Sequence, residues 1–528
     1  MSLAAWSSFF LVLYIAGMLG LGLLANRQIK GADDFATARR SYGPLFLALA
    51  FSATIASGAT FLGFPGMAYE AGTSAMWGLL YPTGVFIGVC ISMRMVSSAG
   101  HRWSIRSMPE FLGRRYQSEG IRVLVALASL LLFFYLAGQL LAGLVMFEIM
   151  LGLPEIPALM ITVVIMLAYV SLGGAHADIM TDGFQGLLML LIAVTVIVMF
   201  AFGSGVDGGF ASFLRELENL DPDLTEVFNQ QYPHFRSWWS ALALIIACIP
   251  MGCLPHVGNK LWALKDDRQR IRFILLSAVF AFILAALGLG GISARVVLGN
   301  SLLGADGNPN QALPLLFIEQ FPTWLAALIG VGILAAVMST ADGLVVSSAQ
   351  LFANDFYRQT FLQRYGRHLD EGEVDRRVLQ LSRWATAGTL VICALIALAC
   401  MNRNINLLIW AGNGGMMSAF SGPVILGCLW KRVTRAGAYA GLVTGLVTFL
   451  VLHASLIQAD WFEGTFFYSA GRWLEAEAPN PMSCAAIGEC LSFIATWSVS
   501  LFTRPLAEEH LVELFQVPKL VGEQGETD

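Results

Sequence analysis

Charge is scarce in this chain. Asp, Glu, Lys and Arg make up only 13% of its 528 residues, against roughly 25% in soluble globular proteins. That deficit excludes a soluble domain of this length. The eight cysteines lack any C-x-x-C pair or Cys/His cluster, so no metal centre is expected. Most of them lie in apolar stretches, where Cys acts as a small hydrophobe; only Cys484 and Cys490 sit where a disulfide can be entertained. No low-complexity tract occurs. The longest polar loops, about 204–236, 351–382 and 458–483, are too short to form domains of their own. The first apolar stretch lacks a basic n-region, and a basic segment follows it, so no cleavable signal peptide is expected.

What is abundant is apolar sequence. Hydrophobic residues make up 57% of the chain, and mean hydropathy is +0.68. About 13 apolar stretches of about 20 residues are each long enough to cross a ~30 Å hydrocarbon core. They start near Trp6, Leu45, Ala75, Val123, Ile156, Asp178, Trp238, Arg272, Thr323, Arg383, Asn406, Ala436 and Cys484. The predicted fold class is an all-α polytopic membrane protein in the cytoplasmic membrane.

Basic residues orient such a chain, because cytoplasmic loops are rich in Lys and Arg. With the N-terminus outside, the inner loops hold Arg27, Lys30, Arg39 and Arg40, then Arg94 to Arg122, Lys260 to Arg272 and Arg358 to Arg383. They also hold Lys431, Arg432, Arg435, Arg504 and Lys519. Only Arg215, Arg236, Arg295, Arg403 and Arg472 fall outside. This pattern predicts an outside N-terminus and a cytoplasmic C-terminus. In the tail, Leu511, Leu514 and Phe515 suggest an amphipathic surface helix.

Two apolar spans are interrupted at their middles. One reads Ser52-Ala53-Thr54-Ile55-Ala56-Ser57-Gly58-Ala59-Thr60, then Gly63-Phe64-Pro65-Gly66. The other reads Cys248-Ile249-Pro250-Met251-Gly252-Cys253-Leu254-Pro255. A broken helix leaves backbone groups unpaired, which lipid does not tolerate unless they line a buried or wet cavity. Paired interruptions point to the binding site of a secondary transporter. Each opens a five-span group, so a 5+5 inverted-repeat core is expected. Its predicted divisions are 1–44, 45–203 (first repeat), 204–237 (outer loop), 238–430 (second repeat) and 431–528.

Chemistry concentrates in three places. The break at 52–60 offers hydroxyl and carbonyl oxygens, hard ligands suited to a hard cation. In the ninth span, Ser339 and Thr340 are adjacent hydroxyls inside an apolar helix. Such residues often only bond back to their own turn. Asp342 lies one turn from Ser339 on the same face, and a carboxylate at that depth marks a functional site by default. The third place is Gly173-Gly174 to Gln185. Asp178, Asp182 and Gln185 are spaced i, i+4, i+7, on one helical face. Asp178 reads as a residue in water at the inner mouth, and Asp182, deeper, as functional.

These stretches resemble the sodium/solute symporter family. The resemblance is carried by Asp34-Phe35 to Arg39, Gly63 to Gly66, Gly173-Gly174 to Gln185, Pro255 to Asp266, Met338-Ser339-Thr340 and Gly427 to Lys431. It implies a core shared with bacterial amino-acid transporters, with no catalysis and sodium as the coupling ion. It further implies a sodium site formed by the carbonyls of Ala53, Ala56 and Ala336 and the hydroxyls of Ser339 and Thr340. Asp182 then matches an aspartate of the inward ion path, with Gln185 and Asp342 beside it. Sialic acid carriers have serines where this chain has Asp342 and Gly343, and those serines help form a second sodium site. Here Asp342 offers a carboxylate instead.

Partial motif similarity is nearest to the pantothenate branch. The expected substrate contacts are Thr54, Ser57, Thr60, Trp77, Met251, Trp410 and Asn413. An aromatic wall with few hydroxyls suits a small organic acid, its carboxylate held by exposed N–H groups of a broken helix. The expected partners are that solute, sodium and the bilayer, with neither nucleic acid nor an obligate protein partner. Two alternatives are a transporter-like sensor and a proton-coupled carrier using Asp182 and Asp342.

Overall fold

The computed structural model describes residues 1–27, 32–304, 307–362, 370–401 and 405–515, the side chains of 32, 34, 35, 168–173, 267 and 371 excepted. Lys30, Arg403 and Lys519, the side chains of Asp34 and Phe35, and Gly173 therefore lie outside the described residues. The described chain is helical throughout. Nine helices are long and apolar enough to cross a membrane, ten if one bent pair counts as a span. Shorter apolar helices, Pro44–Ile55 and Glu155–Leu167, accompany them.

Local chemistry sets the helix ends. Ser107, Ser118, Ser237 and Thr434 each accept a hydrogen bond from the first turn that follows, satisfying an N–H that has no partner within the helix. Pro44, Pro255 and Pro481 stand at first helical positions, where a missing N–H costs nothing.

Both interruptions are real breaks. The Pro44–Ile55 helix ends at Ala56, whose φ/ψ of −82/93° is extended. The chain resumes as a wide turn at Ala59–Gly63 and the helix Phe64–Ala71. The freed amides find partners in protein. Gly58 N donates to the Gln139 side chain at 3.0 Å, and Ala59 N to Ser57 Oγ at 3.1 Å. The second break falls at Leu254, φ/ψ −62/148°, and bends Trp238–Cys253 against Pro255–Trp262 by 52°. A third discontinuity sits inside Glu155–Ala201, where Gly174 takes φ 52° and ψ −142°. That left-handed region is open to glycine at little cost.

The first half of the first broken helix, Pro44–Ile55, packs against Glu155–Ala201 and Arg270–Ala285. Thr323–Gln350 crosses the centre, touching Leu3–Asn26, Leu132–Leu151 and Glu155–Ala201. Tyr81–Trp103 meets the second break through Gly84 and Gly88. A Cβ there would stand 2.0 Å from the Ile245 carbonyl oxygen and 1.7 Å from that of Ile249. Without a hydrophobic force between helices in lipid, such close backbone contact supplies the attraction.

All eight cysteines are free, and the buried Cys484 thiol faces the carbonyls of Glu477 and Ala478. The tail helix Glu508–Phe515 docks on protein: His510 stacks on Trp103 at 5.6 Å, Glu513 accepts from the Trp103 indole at 2.8 Å, and Leu514 is buried.

Candidate functional site

The first break meets the Thr323–Gln350 helix directly. Thr340 Oγ1 donates to the Thr54 carbonyl at 3.1 Å, linking residues far apart in the chain. Ala53, Ala56, Ala336, Ser339 and Thr340 are all fully buried. Ser339 Oγ has no hydrogen-bond partner, although it lies within electrostatic reach of Asp182. A hydroxyl of the Thr323–Gln350 helix and a main-chain carbonyl at the first break thus meet at a fully buried junction.

On one side of this junction lies a buried charged cluster. Asp182, fully buried, accepts from Thr54 Oγ1 at 2.8 Å. Lys260, 2% exposed, bonds through Nζ to Asp182 and to Thr54. It also pairs with Asp178 at 3.0 Å. This corrects two expectations. Asp178 is not in water, because Lys260 closes over it. Lys260 is not a charge in an inner loop, because the turn Asn259–Trp262 that follows the second break carries it inward. Gln185, next along the stripe, donates to the Tyr14 hydroxyl at 2.6 Å. Tyr14 in turn lies within electrostatic reach of Asp342 and Asp182, so both sequence-predicted carboxylates face one neighbourhood. Asp342 is buried.

On another side opens a cavity with about 600 Å³ of empty space, open solvent included. Of the expected substrate contacts, Ser57, Thr60, Met251, Trp410 and Asn413 line it. Thr54 does not, because its hydroxyl turns to Asp182 and Lys260. Trp77 does not either. It stacks on Phe228 at 5.6 Å and meets Trp238 edge-on at 4.9 Å, and its indole donates to the Val227 carbonyl. Trp77 therefore anchors the outer loop.

Sequence reading missed Tyr81, Tyr135, Phe235 and Asn406, which also line the cavity. Tyr135 faces Ser57, Asn413 and Thr340, bridging the cavity and the sodium-site candidate. A lone Tyr in an apolar helix carries no signal in one dimension. Among the described residues, no charged side chain lines the cavity. The amides of Gly58, Ala59, Thr60 and Phe61 at the first break are already bonded within the protein. Those four N–H groups are therefore not free to hold a carboxylate.

His234 caps the cavity from the outer loop. It is buried, lies edge-on to Trp410 at 5.8 Å, and is faced by Asn480, Arg236 and His453. Burial pushes its imidazole down to about 4. A His whose folded pKa is depressed contributes full stability above its unfolded value near 6.5 and loses it as pH falls toward 4. Lowering pH from 7.5 to 5.5 should cost ~1 kcal/mol. Thermal unfolding in detergent should show that loss in the wild type and a smaller one in His234→Gln.

Two broken helices, a buried junction of hydroxyl and carbonyl oxygens and a central cavity are the architecture of a membrane carrier. The chain belongs to the sodium:solute symporter family, whose model matches residues 35–445. It is 26% identical over 461 residues to a sodium/pantothenate symporter of Haemophilus influenzae, covering 84% of this chain and 89% of that protein. It is 27% identical over 462 residues to a sodium/proline symporter of Escherichia coli, covering 83% and 86%. A sodium-coupled sialic acid symporter in a substrate-bound outward-open state shares the fold, with TM-score 0.70 and 20% identity over 95% of this chain and 98% of that one. A nucleobase-cation-symport-1 family transporter aligns at TM-score 0.52 and 15% identity, over 90% and 97%. The protein is thus a sodium-coupled symporter of a small solute, a multi-pass membrane protein and not an enzyme.

Proposed function

We propose that the sodium ion is held by the carbonyls of Ala53, Ala56 and Ala336 and the hydroxyls of Ser339 and Thr340. The observation that carries this reading is the Thr340–Thr54 contact, which seats the Thr340 hydroxyl against a carbonyl at the first break. Neutral hard oxygens replace the water around sodium, while offering little to a proton. Asp182 forms the inward ion path. The solute occupies the cavity of Ser57, Thr60, Met251, Trp410 and Asn413. The relatives are named for pantothenate, proline and sialic acid, all carboxylates, which supports a small organic acid here too. With no cation in the wall, its carboxylate is received by the hydroxyls of Tyr81 and Tyr135 and the amides of Asn406 and Asn413. Its apolar part lies against Trp410 and Phe235.

The proposed arrangement has about 13 spans, with the N-terminus outside and the C-terminus cytoplasmic. Its repeats run over 45–203 and 238–430, and it imports solute by alternating access.

Met251→Trp tests the cavity. The added indole fills space that the solute needs, so uptake into proteoliposomes should fall at least about tenfold, as expected when a bound geometry is displaced by about an ångström. Binding of radioactive sodium to the same purified protein should persist. Unchanged uptake of every transported solute would place the solute elsewhere.

A further inference from the structure

Lys260 is a buried basic residue beside the ion-site candidate that the sodium-site reading does not use. Its ammonium has three N–H donors, and its partners are Thr54, Asp178 and Asp182. These belong to different elements. Lys260 stands on the inner half of the second broken helix, Thr54 on the first broken helix, and both aspartates on the helix beyond the Gly174 kink. One side chain thus ties together the elements that surround the ion junction.

Two oxygens of the cluster remain open. Asp178 Oδ1 and Asp182 Oδ1 are buried and have no hydrogen-bond partner among the described residues, with the Ser339 hydroxyl facing Asp182. A buried charge left uncompensated is costly. Two carboxylates with one ammonium leave one negative charge, which suits one further cation. The Thr323–Gln350 helix runs beside this opening. A Cβ added at Gly343 would stand 3.5 Å from Asp178 Oδ1 and 3.6 Å from Thr54 Cγ2. Thr54 also accepts from Thr340 through its carbonyl. The ammonium and a sodium ion on Thr340 are therefore neighbours, and two like charges at such separation repel strongly in a medium of intermediate dielectric.

We propose that Lys260 is a tethered cation that competes with sodium for Asp182 and holds the inward ion path closed while the ion is absent. In that state the ammonium clamps the two broken helices and the kinked helix. Sodium arriving at Ser339 and Thr340 weakens the clamp by repulsion. Passage of the ion along Asp182 displaces the ammonium toward Asp178. The competition lowers sodium affinity, which makes the ion easier to release. The proposal rests on the sodium-site reading above.

The test uses radioactive sodium binding to the purified full-length protein. Lys260→Met combined with Asp178→Asn removes the ammonium and one carboxylate together, so the cluster keeps its net charge. Half-saturating sodium should fall about tenfold or more in this double variant. An equal or higher value would overturn the proposal and make Lys260 a charge balance only. If the double variant does not fold, the wild type decides. Lys260 should react faster with acetic anhydride in saturating sodium than in choline, as read by peptide mass spectrometry. Equal reactivity would overturn the proposal. Failure of the underlying reading is distinguishable, because wild-type protein would then bind sodium no better than Ser339→Ala.

Discussion

Ser339→Ala and Thr340→Ala should each raise the sodium concentration for half-maximal uptake by about 10–100-fold. Each change deletes one hard oxygen from a fully buried junction; Ser339→Ala loses nothing else, and Thr340→Ala loses a methyl group as well. An oxygen lost from a buried charged site costs about 1.5–3 kcal/mol, which corresponds to that range of affinities. Thr340→Ala also strips the Thr54 carbonyl of its hydroxyl donor, so its effect should be the larger. Thr340→Ser keeps the oxygen and should recover most of the wild-type behaviour, separating ligation from packing. Membrane insertion should be normal in all three variants. If sodium dependence is unchanged in both alanine variants, the ion binds elsewhere.

Asp182→Asn should slow turnover about tenfold or more while solute affinity changes little. The variant keeps the shape of the side chain and its capacity to accept from Thr54, but removes the charge that faces Lys260. Solute affinity is spared because Asp182 does not line the cavity. Breaking a buried ion pair on one side usually costs several kcal/mol; here Asp178 still faces the ammonium, so the protein should remain folded. The informative reading is the split between maximal uptake rate and half-saturating solute. A wild-type rate would make Asp182 a structural residue.

Much of the site is legible along the chain because lipid penalises exceptions. Hydroxyls at 339 and 340, carboxylates at 342 and 182, and prolines and glycines inside apolar runs stand out against a uniform background. Each is costly in hydrocarbon unless it has a partner or a cavity. The paired interruptions are visible for the same reason, and the structure breaks the chain at both. Lys260 was hidden by a different rule. A lysine a few residues past an apolar span reads as a loop charge, and the run of basic residues after it reinforces that reading. Only the 52° bend at Leu254 and the short turn behind it carry the side chain inward. Tyr135 and Asn406 were hidden because an isolated polar residue in a helix shows no direction until its neighbours are known.

Thr54 and Trp77 mark where the one-dimensional reading stops. Their types suit a binding site, and both lie beside cavity-lining stretches. Thr54 shares its span with Ser57, but the break at Ala56 turns the chain between them, so Ser57 faces the cavity and Thr54 the charged cluster. Trp77 is drawn to Phe228 and Trp238 on the outer loop. The sequence by itself determined that this chain lives in a membrane, where its helices break, and which residues are too polar to face lipid. Those properties are local, since each residue's transfer cost is set by its own chemistry. The tertiary structure alone decided which polar residues meet at the buried junction and which line the cavity. Those pairings join residues 78 to 286 positions apart, and they are set by how broken helices cross and by close contacts at residues such as Gly88.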